Sequence, residues 1–109
     1  MQRLPFDISK VEGFEWDKGN LGKNEVKHGV IKDESEQVFL NRPLWIFDDE
    51  VHSKSEKRYG ALGRTNKGRK LTAFFTVRKN RIRIISIRDQ SKKDKKIYQK
   101  KEVKQNEKN

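Results

Sequence analysis

The stretch LTAFFTVRKNRIRIISIR, residues 71–88, decides the fold class of this chain. Apolar residues in its first half alternate with others, as they do in a half-buried strand. They are Leu71, Ala73, Phe75 and Val77. A second alternating run, Arg81 to Arg88, follows after only Lys79-Asn80. Because so short a link joins antiparallel neighbours, the sequence predicts a β-hairpin here.

The segments upstream of this hairpin extend it into a sheet. Leu44–Phe47 and Glu56–Arg64 predict two more strands, separated by the polar loop Asp48–Ser55. Thr65–Gly68 is typical of a turn, and Phe14–Trp16 predicts a brief additional strand. We therefore expect a small antiparallel sheet of about four strands, made by the segments from Leu44 onward.

Two helices are predicted before the sheet. Asp17 is suited to cap a helix that runs to about His28, with Gly29 as its stop. Asp33 and Glu36 have the spacing of a capping box, which predicts that a second helix begins there. With one C-terminal helix, these elements predict an α+β domain whose helices pack on one face of the sheet.

The C-terminal region is predicted to be a helix followed by a tail. Ser91 and Asp94 have capping spacing for that helix. The chain of 109 residues predicts a single domain over residues 1–109. We expect its folded part to span about residues 13–98, after a loose leader, and residues 99–109 to form a flexible lysine-rich tail.

Charge is the strongest signal in the composition. Lysine and arginine number 27 against 16 acidic residues, which gives a net charge of +11. Such an excess favours polyanionic partners, because each neutralised phosphate releases counterions. The alternative reading is that the charge only keeps the protein soluble. The chain has no cysteine, which excludes disulfides and thiolate metal sites. No apolar run has the length of a membrane span, so we expect a cytoplasmic protein without membrane contacts.

Three groups of residues have the chemistry of a functional site. In the last strand Ile82, Ile84 and Ser86 alternate with Arg81, Arg83 and Ile85, so one sheet face is predicted to present two arginines. Paired guanidinium groups suit phosphate, although charge on a solvent-exposed strand also protects a sheet edge.

The other two groups contain the two histidines of the chain. Lys27-His28 fits acid–base chemistry, or ordinary cations at the C-terminus of a helix. His52 precedes Glu56 and Arg58, which are two apart on a predicted strand and therefore point the same way. That pair fits either an ion pair or a base beside a phosphate clamp. Two histidines without HExxH spacing make a histidine metal site unexpected, and we expect no metal and no cofactor.

A set of short motifs gives these residues a family context. They are FEWD at 14–17, KHGV at 27–30, VF at 38–39, HSxxExR at 52–58, LGR at 62–64 and RIRIISxR at 81–88. In order and spacing they resemble the BrnT toxins of BrnT/BrnA type II toxin–antitoxin modules, and Tyr98 matches a tyrosine on that family's last helix. Departures from the family pattern are Lys32, Ser35, Ile87 and Asp89-Gln90.

The resemblance implies a RelE-like ribonuclease fold, RNA cleavage that arrests translation and growth, and neutralisation by a BrnA antitoxin. The RNA substrate would be mRNA, free or on the ribosome. The resemblance also implies that promoter DNA is bound only through the toxin–antitoxin complex.

Cleavage without a metal needs a base, an acid and cations that stabilise the phosphorane. As a hypothesis, Arg58, Arg64 and Arg83 hold the scissile phosphate, Lys27, His28 or Glu56 is base or acid, and Tyr98 donates a hydrogen bond. Further RNA contacts are expected from His52, Arg81 and Arg88. The alternative hypothesis is a non-catalytic RNA- or ribosome-binding module, which explains the charge equally well.

Overall fold

A computed structural model of the chain describes residues 7–107, and the side chains of residues 7–105. The helices are α1 (Lys23–His28), α2 (Lys32–Leu40) and α3 (Lys92–Glu107). The strands are β1 (Gly13–Phe14), β2 (Trp45–Asp48), β3 (Tyr59–Arg64), β4 (Lys70–Arg78) and β5 (Arg81–Asp89). They form one sheet in the order β1-β5-β4-β3-β2. The α+β class with two N-terminal helices and one C-terminal helix is confirmed.

The predicted hairpin is confirmed as β4 and β5. Lys79 and Asn80 both have positive φ, 50° and 64°, which is the backbone of a tight two-residue turn between antiparallel strands. The pairs β2–β3, β3–β4 and β4–β5 are antiparallel, as expected.

The sheet has five strands rather than about four, and it is mixed. The brief strand predicted at Phe14–Trp16 is present as β1, shifted to Gly13–Phe14, and it joins the sheet. β1 pairs in parallel with β5, Gly13 opposite Arg81 and Phe14 opposite Ile82. The pairing joins segments almost 70 positions apart in the chain, so no local turn signal announces it. The predicted strand Glu56–Arg64 also began three residues too early, because β3 begins at Tyr59.

A β-bulge at Ile85 changes which side chains of β5 share a face. Phe74 of β4 lies opposite Ser86, whereas the next residue, Phe75, lies opposite Ile84. Ile85 is therefore an extra residue in the strand, and the prediction that Ser86 shares a face with Ile82 was wrong. Arg81, Arg83, Ser86 and Arg88 instead point to one face, while Ile82, Ile84 and Ile87 are buried on the other.

The helices cover both faces of the sheet, which corrects the one-sided arrangement expected. On the α2 face the Phe39 ring packs edge-on against Phe14 and Phe75. Gly63 allows α2 to approach β3, since a Cβ there would lie 2.7 Å from the Val38 side chain. On the opposite α3 face, Asp94 of α3 accepts a hydrogen bond of 2.8 Å from Thr72.

α1 begins later than predicted. Asp17 accepts a hydrogen bond from the Gly19 N–H rather than capping a helix, and Gly22 has φ +79°, so regular helix begins only at Lys23. The predicted stop is confirmed, since Gly29 has φ +66°. Asn20 and Asn24 are buried against β5: the Asn20 amide donates to the Ile84 carbonyl, and the Asn24 oxygen accepts from the Ile87 N–H.

The other helices also differ from the prediction at one end. α2 begins at Lys32, and Glu34, not Glu36, accepts from the N–H of the capping residue Ile31. α3 begins as expected, with the Asp94 N–H donating to Ser91 Oγ. It continues to Glu107, so residues 99–107 are helical rather than a separate tail. The expectations for residues 1–6 and 108–109 lie outside the described residues.

Arg69 joins the ends of α1, α2 and β5, a role that the sequence did not indicate. Its guanidinium donates to Asp89 at 2.7 Å, to Glu34 at 3.2 Å and to the carbonyls of His28 and Gly29. The hydrogen bonds that Arg69 donates to Asp89 raise the pKa of Arg69 above its ordinary value. This network fixes the C-terminus of α1 beside the end of β5.

Candidate functional site

The loop between β2 and β3, residues 49–58, is closed by its own hydrogen bonds. Ser53 Oγ donates to the Asp49 carbonyl at 2.7 Å and accepts from the Arg58 N–H at 2.9 Å. The Asp49 N–H donates to the Arg58 carbonyl at 3.0 Å. The loop therefore begins and ends at adjacent points, and residues 52–56 lie on a constrained bend.

His52 in this loop is oriented by a carboxylate. Its Nδ1 lies 3.0 Å from Asp49, whose side chain is only 11% exposed, while the His52 side chain is 62% exposed. A neutral imidazole that donates Nδ1–H to the carboxylate keeps Nε2 as a free acceptor. His52 therefore has the arrangement of a general base that faces solvent.

A cleft of about 280 Å³ lies at this loop. It is lined by His52, Lys54, Ser55, Glu56 and Arg58. Among residues 7–105, no carboxylate lies within 4 Å of the Arg58 guanidinium. The cleft thus combines an oriented imidazole with a guanidinium that has no ion-pair partner in this part of the chain.

Glu56 does not pair with Arg58, contrary to one reading of their spacing. It accepts two hydrogen bonds from Arg78, of 2.6 and 3.0 Å. The hydrogen bond with Arg78, with further help from nearby Arg58, lowers the pKa of Glu56. Glu56 is thus firmly ionised at neutral pH, which makes it a weak proton acceptor and a fixed negative charge beside the cleft.

Arg83 belongs to an ion-pair chain that leads from β1 to the cleft. Its guanidinium lies 2.8 Å from Asp17 and 3.1 Å from Glu15, and its side chain is only 14% exposed. Glu15 also lies 3.5 Å from Arg78, which holds Glu56. The hydrogen bonds that Arg83 donates to Asp17 raise the pKa of Arg83, and the same contact lowers the pKa of Asp17.

The predicted clamp of Arg58, Arg64 and Arg83 is not assembled around one point. Arg83 lies opposite Thr76 of β4, and Arg64 lies opposite Lys70. Six residues along a strand span about 20 Å, so Arg64 and Arg83 are at opposite ends of the sheet. Arg64 is 4.0 Å from Glu102 of α3.

Tyr98, which belongs to α3, and Arg88, which contacts α3, do not line the cleft. Tyr98 is buried, and its hydroxyl donates to the Pro43 carbonyl at 2.7 Å. Arg88 lies over the Phe74 ring, 5.9 Å from its centroid, and 3.7 Å from Asp94. The Tyr98 hydroxyl is therefore turned away from solvent, and we leave this residue out of the site.

Lys27 and His28 also lie away from the cleft, and Arg81 is not among the residues that line it. Lys27 and His28 are exposed at the end of α1, beside the Arg69–Asp89 pair. Asp89 is six residues beyond Arg83 on β5, about 20 Å along the strand. Arg81 is exposed next to the β4–β5 turn, on the same face as Arg83. Of the acid–base candidates, only Glu56 is in the cleft.

Sequence reasoning missed the partners that organise the site. Asp49 carries a usable signal, since it lies three residues before His52 in a polar loop. The sequence contains no signal for the roles of Glu15 and Asp17, the acidic residues of FEWD. Their contact with Arg83 depends on the parallel pairing of β1 with β5. Arg78 likewise meets Glu56 only through the fold.

Two further observations concern metal binding and membrane-spanning helices. Within residues 7–107, no three histidine or acidic side chains are grouped closely enough to bind a metal ion. In the same range no helix combines the length and apolarity needed to cross a membrane.

Comparison with known proteins identifies the family. Residues 16–94 match the family described as the ribonuclease toxin BrnT of type II toxin–antitoxin systems. No curated protein matches the chain. The matched range contains His52, Glu56, Arg58 and Arg83, and it covers most of the 109 residues. This chain is therefore a member of the BrnT family of ribonuclease toxins, whose partners are an RNA substrate and an antitoxin protein.

Proposed function

We propose that the chain is an endoribonuclease that cleaves RNA without a metal ion at the cleft formed by His52 and Arg58. The observation that carries this proposal is the pairing of His52 with Asp49 beside Arg58, which has no carboxylate partner among residues 7–105. An imidazole with a free Nε2 supplies acid–base chemistry, and a guanidinium supplies charge for a phosphorane.

In the proposed reaction the RNA 2′-hydroxyl is the nucleophile. His52 Nε2 accepts its proton as the 2′-oxygen–phosphorus bond forms and the phosphorus–5′-oxygen bond breaks. The imidazolium then returns a proton through solvent to the departing 5′ oxygen. The products are a 2′,3′-cyclic phosphate and a 5′-hydroxyl, and the enzyme is unchanged. Arg58 stabilises the negative charge that develops on the phosphorus oxygens.

The proposed roles of the remaining charges follow from their contacts. The Glu56–Arg78 pair fixes the charge at the rim of the cleft, and Arg83 positions this rim through Glu15. Arg83 is thus a positioning residue in the proposal, since its guanidinium is already occupied by two carboxylates.

We extend the proposal to the cellular role. Cleavage of mRNA in the cytoplasm would arrest translation and growth. The antitoxin would cover the cleft with acidic residues and would contact promoter DNA in the complex. Such a partner stabilises the folded toxin by mass action.

The test is cleavage of RNA by the purified protein in excess EDTA, with analysis of the product ends. We expect cyclic phosphate ends, a loss of about 10²–10⁴-fold in rate for His52→Ala, and a loss of about 10²–10³-fold for Arg58→Ala. Lys67→Ala, at an exposed position in the β3–β4 turn, is the control.

Three results would contradict parts of the proposal. If His52→Ala keeps full activity, His52 is not the acid–base residue. If EDTA abolishes activity, cleavage requires a metal ion. RNA binding without any cleavage by folded wild type favours the non-catalytic binding module. Arg83→Ala is expected to lose both activity and stability, whereas Arg58→Ala is expected to lose activity alone.

A further inference from the structure

Between Lys92 and Gln105, both acidic side chains of α3, Asp94 and Glu102, lie on the face toward the sheet. Six residues form the stripe that packs toward the sheet, and each is buried or half-buried: Asp94, Ile97, Tyr98, Lys101, Glu102 and Gln105. The charged residues outside this stripe, through Gln105, are all lysines, and all are exposed: Lys92, Lys93, Lys95, Lys96, Lys100 and Lys104.

Asp94 and Glu102, the acidic residues of α3 whose side chains the structure describes, neutralise the sheet and not these lysines. Asp94 accepts from Thr72 and lies 3.7 Å from Arg88. Glu102 lies 3.0 Å from Lys70 and 4.0 Å from Arg64. None of the six outward lysines has an ion pair with a carboxylate within residues 7–105. Through Gln105, the outer face of α3 therefore carries charge of one sign.

Four of these lysines form a row along the helix, which we call the lysine ridge: Lys92, Lys96, Lys100 and Lys104. Successive members are four residues apart, so the row advances about 6 Å per step and extends about 18 Å. Like charges at this spacing destabilise a helix. A face needed only for solubility would intersperse both signs, and this one does not. The arrangement is explained by a ligand that supplies regularly spaced negative charge.

We propose that the lysine ridge binds the sugar–phosphate backbone of RNA as a second, non-catalytic site. The inference rests on the proposed function for its ligand class. Three of the four lysines of the ridge, Lys96, Lys100 and Lys104, lie beyond the family match, which ends at residue 94. RNA that is cleaved in the cleft and extends beyond it would be held on α3 by contacts that do not read sequence.

An RNA ligand is favoured over an acidic protein by what the ridge lacks. Protein interfaces are built around apolar and aromatic anchors, and lysine is depleted in them. On the outer face of α3, within the residues whose side chains are described, Val103 is the one exposed large apolar side chain. The surface therefore offers evenly spaced charge without an anchor.

The experiment measures binding of a 2′-O-methylated RNA strand, which cannot be cleaved through its 2′ oxygen, at several salt concentrations. The quadruple variant K92Q/K96Q/K100Q/K104Q is compared with K10Q/K23Q/K32Q/K67Q, which removes the same charge at exposed sites elsewhere. We expect the slope of log affinity against log salt to fall by about 3 in the ridge variant, about 0.7 per lysine. The control slope should change little. A strand too short to reach α3 should bind both variants alike.

Other outcomes overturn the proposal. If the slope of log affinity against log salt falls equally in the two variants, only net charge matters. If the slope is unchanged in the ridge variant, the ridge does not contact RNA. Loss of binding to an acidic antitoxin with RNA affinity intact would make the ridge a protein interface. Because the strand is not cleaved, failure of the proposed catalysis would leave this result unaffected.

Discussion

At the scale of single residues, the same residue type has different roles according to its surroundings. Tyr98 was expected to donate a hydrogen bond to RNA, and it donates to the Pro43 carbonyl inside the domain. The sequence placed it correctly on the last helix, but burial depends on where α3 crosses the sheet. His52 shows the opposite case: its loop position was predicted, whereas its orientation by Asp49 emerged only in the structure.

Tyr98→Phe tests the buried hydroxyl. Burial raises the pKa of Tyr98 to about 12 from 10.0. The neutral phenol is thus favoured in the folded state. The contribution of this hydroxyl to the free energy of unfolding is therefore fully present below pH 10 and is lost as the pH rises from about 10 to 12. At pH 8 the variant should lose about 1 kcal/mol of unfolding free energy, for one hydrogen bond.

The measurement is urea unfolding of wild type and Tyr98→Phe between pH 8 and 11. The difference between them should shrink at the alkaline end, because only wild type has this hydroxyl to ionise. A difference that stays constant with pH would contradict the assigned role of burial.

At the scale of elements, local signals were reliable and long-range pairing was not. The β4–β5 hairpin follows from alternation and a two-residue link, and the α1 stop follows from Gly29. The parallel β1–β5 pairing and the bulge at Ile85 have no local signature, because both depend on strands that meet in the fold. The start of α1 was missed because Gly22 interrupts it.

Asn24→Ala tests how α1 is held on β5. The variant leaves the buried Ile87 N–H without the Asn24 oxygen that now accepts from it at 3.1 Å. Since an unsatisfied buried donor costs about 1–3 kcal/mol, we expect a loss of that size in unfolding free energy. Glu25→Ala, at an exposed position on the same helix, should change it by less than about 0.5 kcal/mol. Equal losses in the two variants would refute a specific role for Asn24.

At the scale of the whole molecule, the charged residues predicted as one site are divided between the two ends of the sheet. His52, Glu56 and Arg58 could be predicted together because seven consecutive positions contain them. Lys27, His28, Arg64 and Arg83 come from different elements, and only strand register decides which of them meet. The RNA partner followed from charge and motifs, and membership of the ribonuclease toxin family supports it.

Glu56→Gln tests the ion-pair chain at the cleft. The hydrogen bond from Arg78 lowers the pKa of Glu56 below its ordinary value of 4.5. A lowered carboxylate pKa stabilises the fold above that ordinary value, and this stability is lost as the pH falls below it. At pH 7 the variant should lose about 1 kcal/mol, as partly exposed pairs contribute little.

Unfolding of wild type and Glu56→Gln from pH 7 down to strongly acidic pH checks this expectation. The two curves should converge in acid, where Glu56 is protonated in both folded and unfolded wild type. Glu50→Gln, at an exposed position in the same loop, is the control. Curves that remain parallel would exclude the Arg78 contact as the source of the difference.

The buried asparagines beside β5 also affect how copies of the protein behave toward each other. An open strand edge recruits further strands, which leads to aggregation. Here the Ile84 carbonyl and the Ile87 N–H are already occupied by Asn20 and Asn24, and the Ile82 carbonyl by Glu15. A strand as rich in isoleucine as β5 is thus unable to template intermolecular sheet growth along this edge, and a toxin can accumulate without polymerising through it.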